Sequence, residues 1–142
     1  MNCNSPYAKS CIRVDNPVDQ TFTAAVAPLT LEGTPIVNSG CSLVLNGASI
    51  QVVKSGLYHF SADVIITPTA AGLVTFQLHK DGAALPCAIA QETVATGDTY
   101  SMHIETDLCI NTCCVSNPFI TVTIGGVTGT VNNLCVGALK LA

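Results

Sequence analysis

The sequence predicts an all-β fold of about eight to ten short antiparallel strands, closed into a sandwich, barrel or jelly roll. Two observations carry this. Apolar and polar residues alternate over segments of four to thirteen residues, and turn-forming residues separate those segments at short intervals. A third is negative: no stretch shows a convincing helical period.

The segments follow in chain order. Residues 1–19 hold two prolines and two cysteines without apolar periodicity, and they predict an extended, flexible arm ahead of a domain over 20–142. Residues 21–27 alternate loosely until Pro28 and Gly33-Thr34-Pro35 interrupt them. Ser42-Leu43-Val44-Leu45 reads as a short strand ending at Asn46-Gly47, a strong hairpin signal, and residues 49–53 read as its partner. The clearest strand is 55–67, which places Tyr58, Phe60, Ala62, Val64 and Ile66 on one face and His59, Ser61 and Asp63 on the other. Residues 73–80 repeat the pattern with Val74, Phe76 and Leu78, before Lys80-Asp81-Gly82 turns the chain. Further strands are predicted over 84–92, 99–107, 119–124 and 134–141.

Composition narrows what such a fold does. Hydrophobic residues make up 49% of the 142 residues and charged residues only 10%, well under the roughly 25% usual for a soluble domain. A domain of this size cannot hide so much apolar surface alone, which predicts burial against copies of itself. The net charge is −4, and the five basic residues are scattered, so no nucleic-acid-binding surface is expected. No apolar run is long enough for a transmembrane helix. Eight cysteines suggest an oxidising destination, yet the first residues do not read as a secretory signal. Either a signal has been removed, or the chain reaches oxidising surroundings by cell lysis, as phage particles and spores do. The initial Met favours the second reading.

The stretch Ser55-Gly56-Leu57-Tyr58-His59-Phe60, the strand from Leu73 ending at Lys80-Asp81-Gly82, the Thr96-Gly97-Asp98-Thr99-Tyr100 turn and the closing Val136-Gly137-Ala138-Leu139-Lys140-Leu141 together resemble the tumour necrosis factor/complement globular-head superfamily over about residues 20–142. The resemblance implies a ten-strand jelly roll that forms a tight trimer, one sheet packing against the threefold axis. Bacterial relatives of this type include the heads of collagen-like exosporium glycoproteins, although no Gly-X-Y stalk precedes the domain here. Cysteine-bearing arms on such domains also resemble subunits of bacterial endospore appendages, where the arm docks into the next subunit and disulfides lock the contact.

Against that background Cys3 and Cys11, in the arm, are candidates for linkage to a neighbouring subunit, with an intra-arm loop or free thiols as the plainer alternative. Cys41 and Cys87, in or beside strands, are candidate acceptors, and Cys135 reads as a small core residue. Cys109, Cys113 and Cys114 form a cluster in a predicted loop. Its Cys-x₃-Cys-Cys spacing matches no zinc knuckle, so disulfides are expected before a metal, for which His103 would be the nearest fourth ligand. His59 and Asp63 share a strand face about 13 Å apart and cannot pair alone. No nucleophile elbow, phosphate loop or metalloprotease motif is present. No catalytic residue, metal or cofactor is therefore expected.

The expected function is that of a structural subunit of a self-assembling extracellular fibre or surface appendage, with a bacterial endospore as its setting. The chain itself is the expected partner, as a homotrimer and a further head-to-tail polymer, with other spore-surface proteins as additional candidates. The alternative is the head domain of a phage virion or tail fibre that binds a cell-surface ligand.

Overall fold

A computed structural model describes residues 9–31, 35–112 and 118–142. Among them there is no helix, only strands. The elements are β1 (Cys11–Asn16), β2 (Gln20–Phe22), β3 (Ala27–Pro28), β4 (Val37–Ser39), β5 (Leu43–Asn46), β6 (Ser49–Val52), β7 (Gly56–Pro68), β8 (Gly72–Lys80), β9 (Ala83–Val94), β10 (Tyr100–Ile110), β11 (Phe119–Gly125) and β12 (Gly129–Lys140). They form two six-stranded sheets. The first runs β10-β7-β12-β1-β4 with β2 also on β12, and the second runs β5-β6-β11-β8-β9 with β3 also on β11. Every pairing is antiparallel.

The alternation read from the sequence decides what each sheet buries. Tyr58, Phe60, Ala62, Val64 and Ile66 of β7 turn inward, facing Val74, Phe76 and Leu78 of β8 and Ile120, Val122 and Ile124 of β11. All are at most 1% exposed, so the two sheets close on each other with aliphatic and aromatic side chains between them. Tyr58 and Phe60 stack at 6.1 Å between ring centroids. The Tyr58 hydroxyl finds its partner in the carbonyl of Lys54 at 2.6 Å, which removes the cost of burying an unpaired phenol.

The N-terminal arm requires correction. Residues 11–16, assigned to a flexible segment from their cysteine and polar content, are strand β1 instead. They pair with β12 from Cys11↔Leu139 to Asn16↔Leu134, and with β4 from Cys11↔Ser39 to Arg13↔Val37. The physical reason is the alternation Ile12, Val14, Asn16, all three buried. Asn16 is tolerated there because its amide donates to the Thr30 carbonyl at 2.9 Å and its carbonyl oxygen accepts from Val18 N–H at 3.1 Å. The domain therefore begins by residue 11. Cys3 lies outside the described residues.

The last strand also starts earlier than expected, at Gly129. A register shift between Val131 and Asn133 inserts a bulge against β7. The extra residue reverses the side-chain parity, so that Val131 before it and Leu134, Val136 and Ala138 after it all face the core. Strict alternation could not anticipate that change.

Candidate interaction face

The inward face of the first sheet is sealed in the core, and its outward face carries nearly all the chemistry. The paired registers place its side chains in cross-strand rows. One row runs Val37, Arg13, Gly137, Ser61, Glu105 across β4, β1, β12, β7 and β10. The next runs Ser39, Cys11, Leu139, His59, Asp107, and on the other side lies Asp15, Cys135, Asp63, His103. Four of the chain's nine acidic residues and two of its three histidines thus share one surface.

Strand pairing brings together residues that the sequence separates widely. The His59 Nδ1 lies 2.6 Å from the Asp107 carboxylate, and the His103 Nδ1 lies 2.6 Å from the Asp63 carboxylate. The Nε2 atoms of the two imidazoles lie 3.6 and 3.4 Å from the same Glu105 oxygen. His59 and Asp63, too far apart to pair along their own strand, each find a partner on β10. The Asp63 hydrogen bond raises the His103 pKa above its usual value. Desolvation opposes this, and the nearby negative charges of Asp63 and Glu105, with a Glu105 hydrogen bond, assist it. Among the described residues, no group of three or more His, Cys, Asp or Glu could hold a metal ion.

Beside this ladder the face is apolar. Gly137 lacks a side chain and Ser61 is small, so a shallow depression of about 260 Å³ opens among Cys11, Val37, Ser61, Ala138 and Leu139. A Cβ at Gly137 would come within 3.4 Å of the Ser61 Oγ, so even alanine would begin to fill the dip. Val37, Ile65 and Leu139 remain 43%, 38% and 42% exposed. These apolar side chains share the outward face with the polar ladder.

The cysteines divide by environment. Cys87 and Cys109 are exposed free thiols, while Cys11 and Cys135 are half-buried free thiols. Cys109, which the sequence grouped with Cys113 and Cys114, stands as a thiol on the outward row of β10. Cys113 and Cys114 lie outside the described residues. Cys41 is held in a disulfide. Cys135 is not a core residue: it lies on the outward row between Asp15 and Asp63. Burial pushes its thiol up to about 11, helped by the Asp15 hydrogen bond and charge and opposed by Arg13. At pH 8 a thiol of that pKa is thiolate to the order of 0.1%. Pulse alkylation with iodoacetamide at pH 8, read by peptide mass spectrometry, is expected to label Cys87 and Cys109 well before Cys135. Equal labelling would show that Cys135 is neither shielded nor held protonated.

Two six-stranded antiparallel sheets in this order form a jelly-roll sandwich. No family model matches the chain, and no curated protein matches it either. The likeness is to solved structures at low identity. Murine APRIL superposes with a TM-score of 0.66 at 16% identity, covering 94% of this chain and all of that one. The globular domain of zebrafish complement 1qA gives 0.69 at 7% identity, covering 94% and 98%. PRD1 vertex protein P5 gives 0.70 at 15% identity, covering 94% of this chain and 73% of that one. The shared property is the fold.

Proposed function

We propose that the chain is a structural subunit of a self-assembling extracellular fibre or surface appendage, with a bacterial endospore as its setting and no catalytic role. Copies meet through the outward face of β10, β7, β12 and β1 to give a trimer, and trimers are joined by residues 1–8 together with intersubunit disulfides. The observation that carries the reading is this face, where exposed apolar side chains border a shallow depression on a sheet whose other face is packed in the core. The low charge of the chain supports it, since a lone domain gains nothing from exposed Val37, Ile65 and Leu139. For the joints between trimers, Cys87 is an accessible thiol, Cys11 is half-buried at the start of β1, and Cys3 precedes it. Cys41 serves only if its present disulfide exchanges.

Two truncations test the reading, because the strand boundary is now defined. Removing residues 1–8 is expected to leave folded trimers that no longer polymerise, seen by negative-stain microscopy and by loss of reductant-sensitive ladders on gels. Removing residues 1–16 is expected to unfold the domain, because β1 lies between β12 and β4. Fibres that persist without residues 1–8 would exclude them as the connector. A full-length protein that forms discrete trimers and never fibres would overturn the fibre reading.

The PRD1 vertex protein's fold favours one alternative, a phage virion head that binds a cell-surface ligand. Discrete oligomers that adhere to bacterial cells would support it.

A further inference from the structure

We propose that self-association through the outward face of the first sheet is coupled to proton uptake by His59 and His103, so that copies assemble more tightly as pH falls from 8 towards 5.5. This rests on the self-association reading above and adds the regulation of that same surface.

The argument begins with charge. Asp15, Asp63, Glu105 and Asp107 lie on the face against a single guanidinium, Arg13, and two imidazoles. With both imidazoles neutral, bringing two such faces together places carboxylates of one copy near those of the next and removes water from both. Desolvated like charges oppose association. Protonating the imidazoles places two positive charges within hydrogen-bonding reach of Asp63 and Asp107, with Glu105 between them. The ladder then approaches neutrality, and Arg13 offers a cation to the carboxylates of a second copy. The second copy is therefore the partner whose charge pattern the face fits, and the apolar depression adjoining His59 continues the same surface.

The groups around the imidazoles leave few competitors. On β12, Cys135 borders Asp63 and stays protonated across this pH range. On β1, Arg13 and Asp15 lie beyond it and Cys11 shares the His59 row, while on β10 Cys109 stands two residues beyond Asp107. Behind β10, β9 adds Glu92 and β8 adds His79 and Lys80. His79 has its ring Nδ1 3.4 Å from the Gly82 carbonyl, and Lys80 pairs with Asp81. Imidazole is the side chain whose charge changes between pH 5 and 8, so the two histidines are the groups through which pH acts on this face. The sign agrees with the raised His103 value. The charged form is favoured by its partners, so its contribution is present below the ordinary imidazole range and lost as pH rises through the raised value.

Sedimentation equilibrium of the full chain from pH 5.5 to 8 tests the coupling. Linkage predicts an association constant that rises about tenfold per pH unit for each proton taken up. The double variant His59→Gln/His103→Gln, checked for an unchanged β-sheet circular dichroism spectrum, is expected to associate with no such slope. Glu105→Gln, which relieves part of the acid excess, is expected to strengthen association at pH 8. Equal association of the wild type at every pH would overturn the coupling while leaving the self-association reading intact. So would an unchanged slope in the double variant. A chain that stays monomeric at every pH would overturn both.

Discussion

Phe76→Ala is expected to lower the unfolding free energy by about 3–5 kcal/mol, the range for emptying a fully buried phenylalanine site. Phe76 is 0% exposed and lies on β8, near the middle of the second sheet, directly between β11 and β9. Its neighbours in register are Ile124 on β11 and Ala90 on β9. The facing sheet supplies Tyr58, Phe60 and Ala62, all 0% exposed. Strands pinned on both sides cannot move in to fill the space, so most of the cavity should persist. Urea denaturation of the full chain at fixed protein concentration measures the effect. A loss below about 1 kcal/mol would mean that the core around β8 collapses freely, contrary to the tight packing described.

Gly126→Ala is the second large expectation, and its origin is backbone rather than volume. Gly126 follows β11 at the turn into β12 with φ +110°, a region that side chains rarely adopt. A Cβ there would lie 2.0 Å from the Leu73 carbonyl oxygen and 3.0 Å from its carbon. Both are main-chain atoms of β8, so relief would need the strand itself to shift. The Gly126 N–H also donates to the Ala24 carbonyl at 3.0 Å, which anchors the turn to the segment between β2 and β3. A loss of about 2–4 kcal/mol is expected, from strain at a special φ/ψ with added contact with backbone. Gly47→Ala is the matched control. Gly47 has φ +61° and nothing within 4 Å of a built Cβ, so only the left-handed strain of about 1–2 kcal/mol applies. Equal effects at the two positions would show that the close approach to Leu73 contributes nothing.

The positive-φ glycines and the inward alternation of β7 and β8 show how far local information reaches. Asn46-Gly47 and Gly125-Gly126 announce turns because few other residues take those backbone angles. The run from Tyr58 to Ile66 announces a core face because side chains in a strand alternate whatever the strand pairs with. From these the all-β class, the turn positions and much of the core were legible in the amino-acid order, as was the family of fold that the solved structures share.

Other features depended on partners far away in the chain. Ile12 and Val14 alternate as strand residues do, but Cys11, Arg13, Asp15 and Asn16 surround them, and only the docking of β12 and β4 makes that segment a strand. The bulge between Val131 and Asn133 reverses parity without any marker in composition. The pairing of His59 with Asp107 and of His103 with Asp63 spans 48 and 40 residues. Each of these follows from register, a relation between strands that neither strand encodes by itself. The sequence by itself determined that this protein is a low-charge β domain short of surface to solvate. Only the tertiary structure decided that its acids and histidines gather on one sheet face, because cross-strand pairing, not proximity in sequence, sets which side chains meet.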